Sequence, residues 1–260
     1  MLFYITYRWF VPATKWQSVR DMHSSNLNDI YYKSASLIIQ GDPVKPLNKE
    51  MVVLHPHGFL PVGMGLMVVS KSFESFTCLI QNWLLYTPFI GDMFRWQGIK
   101  SISSDSMKSV METGDNIILY PGGFEEMVLY TRDSHRIYLK QKKGFIKYAM
   151  RYGYLVRPCY VFGEEKTYWV INSFERFRMF LAKYKIPNMV ATGKYLWFMP
   201  DDNIDFAIVC GESIGLPHIP NPTNEDVLKW HDIYIMNLTA LFNDNKCKHG
   251  YPESTVLEIK

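Results

Sequence analysis

Charge of either sign is scarce in this sequence. Asp, Glu, Lys and Arg make up only 20% of its 260 residues, and 28 Lys and Arg against 25 Asp and Glu leave a formal net charge of +3. So mild a balance gives no electrostatic footprint for a nucleic-acid partner, and no basic stripe interleaved with stacking aromatics supplies one. Cysteine is equally sparse. Cys78, Cys159, Cys210 and Cys247 include no Cys-x-x-Cys pair, which argues against a zinc knuckle or disulfide framework and makes a reducing compartment the default. Long apolar runs are missing too. The longest largely uncharged stretch, Phe76 to Phe94, contains Gln81, Asn82, Pro88, Gly91 and Asp92. It reads as a buried strand and helix, with an interfacial patch as the alternative. The N-terminal run Met1 to Pro12 is apolar and aromatic, but Arg8 and Pro12 interrupt it, well short of the ~20 residues of a spanning helix. It lacks the basic lead and small-residue cleavage site of a signal peptide. Repeats and low-complexity tracts are absent.

What is present is apolar: 48% of residues are hydrophobic and 15% aromatic, which points to an apolar ligand or a membrane surface. The length fits one domain. It divides into an N-terminal aromatic and helical segment over 1–45, suited to membrane contact, and a single domain over 46–260. Residues from about 15 to 40 read as helical, and Gly41-Asp42-Pro43 ends that segment. Met51 to Leu54 reads as a buried strand, and Phe59 onward turns into a helix through Met64, Met67 and Val68. Asp105 is placed to cap a short helix carrying Met107, Val110 and Met111 and closed by Gly114. A strand over 116–120, a helix over 142–152 and a strand over 154–162 follow, with Pro158 suggesting an edge position or a bulge. Thr223 and Asp226 open a C-terminal helix whose Val227, Trp230, Tyr234, Leu238 and Leu241 recur at helical spacing as core. The alternation predicts an α/β fold, a mixed, largely parallel sheet flanked by helices.

Chemistry concentrates where two strands end. The first runs into His55-Pro56-His57-Gly58, the second into Pro121-Gly122-Gly123-Phe124-Glu125-Glu126. His57 is the candidate general base, since a neutral imidazole takes a proton from an alcohol attacking a carbonyl, worth about 10²–10⁴ in rate. Glu126 is its candidate partner, a carboxylate on the far ring nitrogen, with Glu125 as competitor. His55 is the second imidazole, fixed beside Pro56. Gly58, Gly122 and Gly123 offer turn geometry and amides for an oxyanion. Lys143, Lys147 and Arg151 share a helix face that suits a polyphosphate, and equally a solvated cationic surface. His-x-His after a strand also begins some metal sites, with Glu126 or Asp115 as further ligands. The remaining histidines fall in no paired ligand spacing, so no metal is expected.

The ordered set of blocks resembles the type-2 diacylglycerol acyltransferase family, which includes monoacylglycerol and wax-alcohol acyltransferases. It comprises His55-Pro56-His57-Gly58, Pro121 to Glu126, Lys143 to Gly153, Phe162-Gly163-Glu164, Val209 to Ile214, Asn221-Pro222-Thr223, His231 and Leu241-Phe242. The family's Pro-Gly-Gly-x-x-Glu makes Glu126 its acid. The resemblance implies a fold similar to the glycerol-phosphate acyltransferases. It implies transfer of a fatty acyl group from acyl-CoA to mono- or diacylglycerol, without an acyl-enzyme and with acyl-CoA as co-substrate rather than a cofactor. It implies attachment to a membrane or lipid-droplet surface, at the cytoplasmic face of the endoplasmic reticulum, and leaves a homo-oligomer open. A wax-alcohol acyltransferase and a non-catalytic lipid- or acyl-CoA-binding relative are the alternatives. Family members usually begin with a hydrophobic hairpin, where this sequence has a stub of aromatics, so either a peripherally attached version or one that needs a partner is expected. The stretch Ser101-Ile102-Ser103-Ser104-Asp105 lacks a basic residue that many relatives carry there, with serine in its place.

Overall fold

The computed structural model of the chain describes residues 15, 16, 18, 31–184, 186, 188–194 and 199–260. In chain order the principal elements are β1 (Ser34–Ile39), β2 (Glu50–His55), α1 (Val62–Val69), β3 (Phe76–Ile80), α2 (Asn82–Tyr86), α3 (Ile90–Trp96), β4 (Lys100–Ser101), α4 (Ser104–Glu112), β5 (Asn116–Leu119), α5 (Gly123–Leu129), β6 (Arg136–Ile137), α6 (Gly144–Tyr152), β7 (Leu155–Phe162), β8 (Trp169–Val170), α7 (Glu175–Lys183), β9 (Ala191–Thr192), β10 (Asp205–Cys210), β11 (Ile214–Gly215), α8 (Asn224–Lys246) and β12 (Glu258–Ile259). The main sheet has the order β1-β10-β7-β2-β5-β3-β4, with β11 also paired to β7. Strands β7, β2, β5, β3 and β4 run parallel. Strands β10 and β11 oppose β7, and β1 is parallel to β10. The sheet is therefore mixed and largely parallel, as the sequence predicts.

The two-residue period of β2 divides the core. Met51 and Val53 join a cluster with Met107, Val110 and Met111 of α4, Phe145, Ile146, Ala149 and Met150 of α6, and Tyr234, Leu238 and Phe242 of α8. Val52 and Leu54 join the opposite cluster, with Met64, Met67 and Val68 of α1. A strand covered on both faces reads as an unbroken apolar run rather than an alternation, which is why Met51 to Leu54 is legible as buried. Helix α8 opens with the predicted capping box, Thr223 and Asp226 each accepting from the other's backbone N–H. Among the described residues no helix is long and apolar enough to cross a membrane.

Four local readings change. The segment expected to be helical to residue 40 contains β1, whose alternating exposure is that of a strand; positions 17 and 19–30 lie outside the described residues, as do 1–14 with the aromatic stub. Since β1 pairs with β10 through six residues, the region before residue 45 contributes a strand to the main sheet. Pro158 is not on an edge, because β7 is flanked by β2 and by β10 and β11. The proline's carbonyl accepts from Gly211 N at 2.8 Å. Its side of the strand thus faces the gap where β10, paired as far as Cys159, hands over to β11, which starts at Val156. The missing N–H falls where no ladder bond is due. Ser103 rather than Asp105 is the N-cap of α4, with Asp105 in its first turn. Finally α6 starts at Gly144, two residues after the expected start.

Candidate active site

Strands β2, β5 and β3 are neighbours running the same way, so their C-terminal ends share one edge of the sheet, where open α/β folds bind ligands. An apolar cavity of about 240 Å³ opens there. Its wall includes His57, Leu60 and Met64 after β2, Gln81, Trp83 and Leu84 after β3, and Tyr120, Gly123, Phe124 and Met127 after β5. Polar side chains are few in that wall.

His57 presents its ring to the cavity, edge-on to Tyr120 with centroids 5.3 Å apart. Its Nδ1 lies 3.1 Å from the Gly58 carbonyl. A carbonyl can only accept, so Nδ1 carries the proton and Nε2 holds the free lone pair. Burial pushes the imidazole below its usual 6.5, which keeps it neutral and able to act as a base at pH 7.

Glu126 serves His57 by a route different from the expected one. Its Oε1 accepts from the His57 backbone N–H at 2.5 Å and its Oε2 from Tyr138 N at 3.0 Å. The carboxylate thus anchors the main chain beneath the imidazole, while the ring nitrogen expected to meet it is taken by Gly58. Burial raises Glu126 to about 7, against the opposing pull of those two amides. Glu125, the competitor, pairs with Lys142 at 2.9 Å instead.

The glycines have separate tasks. A Cβ on Gly122 would lie 2.1 Å from Glu126 Oε2, so the residue is glycine because the acid occupies that space. Gly123 lines the cavity with φ +57, and Gln81 Nε2 is 3.9 Å from where its Cβ would stand. Gly58, at φ +67, lies against Glu164, whose carboxylate would meet an added Cβ at 2.7 Å. Glu164 in turn accepts from Val62 N at 3.0 Å and Gly63 N at 2.7 Å, satisfying amides at the start of α1. Burial raises it to about 8.

His55 belongs to the other face. It is fully buried, Nε2 lies 3.0 Å from the Tyr234 hydroxyl of α8, and it does not line the cavity. The His55–Pro56 peptide is cis. Burial pushes His55 down to about 3, so it stays neutral. Of the three cations proposed for phosphate, none lines the cavity. Arg151 donates to the Pro220 carbonyl at 3.1 Å, and Lys147 is exposed. Lys143 caps the α6 start beside Lys142, the cation that reaches α5. Among the described residues no group of three or more His, Cys, Asp or Glu is placed to hold a metal.

Sequence reasoning assigns no role to Gln81, Tyr120 or Glu164, although Glu164 stands in one of the family blocks. The signal for Gln81 is positional: it is the polar residue ending the apolar run Phe76–Ile80, as histidine ends β2. Glu164 follows β7 and Gly163 in the same manner.

Comparison with known proteins bears on the family and the fold. A solved 1-acyl-sn-glycerophosphate acyltransferase from Thermotoga maritima superposes with a TM-score of 0.53 at 12% identity, over 91% of this chain and 80% of its own; that likeness concerns the fold. Mouse diacylglycerol O-acyltransferase 2-like protein 6 is 27% identical, with 85% of this chain and 73% of that protein covered. Mouse acyl-CoA wax alcohol acyltransferase 2 is also 27% identical with the same coverage. Human diacylglycerol O-acyltransferase 2 is 27% identical over 79% of this chain and 58% of its own length. The sequence model of the family described as diacylglycerol acyltransferase matches residues 14–260, and the chain therefore belongs to that family of acyl-transferring enzymes.

Proposed function

We propose that the chain transfers a fatty acyl group from acyl-CoA to the hydroxyl of a mono- or diacylglycerol at a lipid surface, on the cytoplasmic face of the endoplasmic reticulum or of a lipid droplet. The observation that carries this reading is a neutral imidazole, with its Nδ1–H donating to the carbonyl of its own turn, set in the wall of a largely apolar cavity. The acyl chain lies along Leu84, Phe124 and Met127. His57 Nε2 takes the acceptor's hydroxyl proton as its oxygen attacks the thioester carbonyl carbon. The Gln81 side-chain amide, facing Gly123, and the turn at Gly122 and Gly123 receive the oxyanion. As the carbonyl re-forms, the C–S bond breaks, CoA thiolate leaves with the proton held on His57, and the new ester remains. Glu126 acts by holding the His57 backbone in register, and His55 by supporting the strand end from the opposite face. The cations at the α6 start, Lys142 and Lys143, are assigned to the CoA phosphates, with Lys147 further along the helix. Arg151, roughly 12 Å from the helix start at 1.5 Å per residue, is assigned a structural role.

The test is transfer of labelled oleoyl-CoA by purified protein on liposomes, with monoacylglycerol, diacylglycerol and a fatty alcohol offered separately. Product from an acylglycerol that disappears in a folded His57→Ala variant supports the reading. Product only from the fatty alcohol moves the assignment to wax synthesis. Acyl-CoA binding without any product would make the chain a non-catalytic relative.

A further inference from the structure

Helix α7 has two apolar faces, and only one is covered. Arg178 and Ala182 are buried, and Met179 and Ala182 pack with Phe124 and Val128 of α5. On the other side Phe177 is 61% exposed, Phe180 52% and Tyr184 65%, with Phe174 at the N-cap 82% exposed. At ~100° per residue Phe177, Phe180 and Tyr184 fall within an arc of about 60°, with Phe174 preceding them at the N-cap. A helix on a water-facing surface carries polar residues there; one lying in a lipid interface carries large aromatics flanked by cations. Cations do flank them, since Arg176 and Lys183 are exposed. The acid of this helix, Glu175, is bound by Arg136 through two hydrogen bonds of 3.0 and 3.1 Å.

Helix α7 adjoins the cavity. Met189, a few residues after it, packs with Met179 and Ala182 against Phe124 and lines the cavity, as do Leu60 and Trp83, both substantially exposed. Beyond Trp83, the surface of α2 and α3 exposes Tyr86, Ile90 and Met93. Here too the acid is hidden: Asp92 is buried, with Arg95 3.6 Å away.

We propose that the aromatic face of α7, together with the apolar rim at Leu60, Trp83 and α2–α3, seats in the interface of an anionic lipid leaflet, so that the cavity holding His57 opens among acyl chains. Charge complementarity favours lipid over a second copy of the chain. An isologous contact through α7 sets Arg176 and Lys183 against their own counterparts, whereas an anionic leaflet receives them while their stems lie along the apolar layer. The inference deepens the acyl-transfer reading and rests on it for the purpose of the cavity.

Flotation with phosphatidylcholine vesicles, with and without phosphatidylserine, tests it, in the absence of acyl-CoA and acceptor. The wild-type chain is expected to float with the anionic vesicles. Phe174→Ser/Phe177→Ser/Phe180→Ser is expected to reduce the bound fraction on the order of tenfold, with its thermal transition and its transfer rate in detergent micelles unchanged. Arg176→Glu/Lys183→Glu is expected to abolish the preference for phosphatidylserine. Should the triple variant not fold, Phe177→Ser alone is read in the same way. Wild-type binding that survives the triple substitution overturns the proposal. So does a triple variant that loses self-association by light scattering while floating normally, which assigns the face to a second copy. Normal flotation without acyl transfer to any acceptor overturns the catalytic reading and leaves the surface assignment standing.

Discussion

His55 and His57 are two residues apart at the end of one strand, yet their surroundings differ in every respect that matters to reactivity. His55 turns into the core beneath α8, is sealed from solvent and meets a tyrosine hydroxyl. His57 turns to the opposite side, into the wall of an apolar cavity, and meets its own turn's carbonyl. Both are neutral at pH 7 because burial penalises the imidazolium. Neutrality alone therefore does not distinguish a base from a buttress. Access does.

Removing the cavity-facing member of the pair has the largest expected effect. His57→Ala should lower kcat/KM by about 10²–10⁴ with little change in the thermal transition, measured by acyl-CoA turnover beside circular dichroism. An equally active, folded variant would assign the proton transfer elsewhere. Glu126→Gln comes next. A glutamine offers one carbonyl oxygen where the carboxylate accepts from two amides, so either His57 N or Tyr138 N loses its partner. The expected cost is about 1–3 kcal/mol of stability and roughly 10²-fold in rate, because the imidazole is displaced. Glu125→Gln serves as the control and should stay within a few-fold.

On the sealed side the effect should be in stability rather than rate. Tyr234→Phe leaves His55 Nε2 buried without its partner, at about 1–3 kcal/mol in denaturant unfolding, while kcat stays within a few-fold. A large loss of kcat in a stable Tyr234→Phe variant would return His55 to the chemistry. The most discriminating difference is in pH. In the unfolded chain His55 takes its proton near 6.5, and in the folded protein only near 3. At this residue the unfolded state therefore binds more protons across that window. The His55 contribution to stability falls as pH drops from 6.5 towards 3, by up to about 1.4 kcal/mol per unit, against the opposite contribution of Glu126 and Glu164. His55→Gln should flatten that limb without moving the acid limb of turnover. That limb belongs to His57 and should lie below 6.5, since protonating Nε2 removes the base.

Much of this organisation is legible in the sequence. Strands β2 and β5 declare themselves because strands buried on both faces read as apolar runs, β7 through the apolar residues on either side of Arg157 and Pro158, and α8 because its capping box and its stripe of Val227, Tyr234, Leu238 and Leu241 agree. The locations of His57 and Glu126 are legible from the glycines that surround them. What is not legible is direction. Nothing in His55-Pro56-His57 states that the two rings part to opposite faces. Pattern also cannot say that Glu126 grips a main-chain amide rather than a ring, or that Lys147 and Arg151 lie away from the cavity. Strand β1 is concealed because an edge strand of Ser34-Ala35-Ser36-Leu37-Ile38-Ile39 carries too little alternating contrast. Gln81 and Glu164 are missed because a single polar residue after a strand is ordinary until its neighbours in space are known.

The turn from His57 to Gly63 is moored at both ends by buried acids, Glu126 on the His57 amide and Glu164 on the amides of Val62 and Gly63. Burial pushes the two up to about 7 and about 8 from an ordinary 4.5. Acids that hold protons more tightly in the folded protein stabilise this arrangement fully below 4.5, and progressively less as pH rises through 7 and 8. Any excursion of this segment into water would return both acids to their solvated affinity and release up to two protons, so it would cost least at high pH.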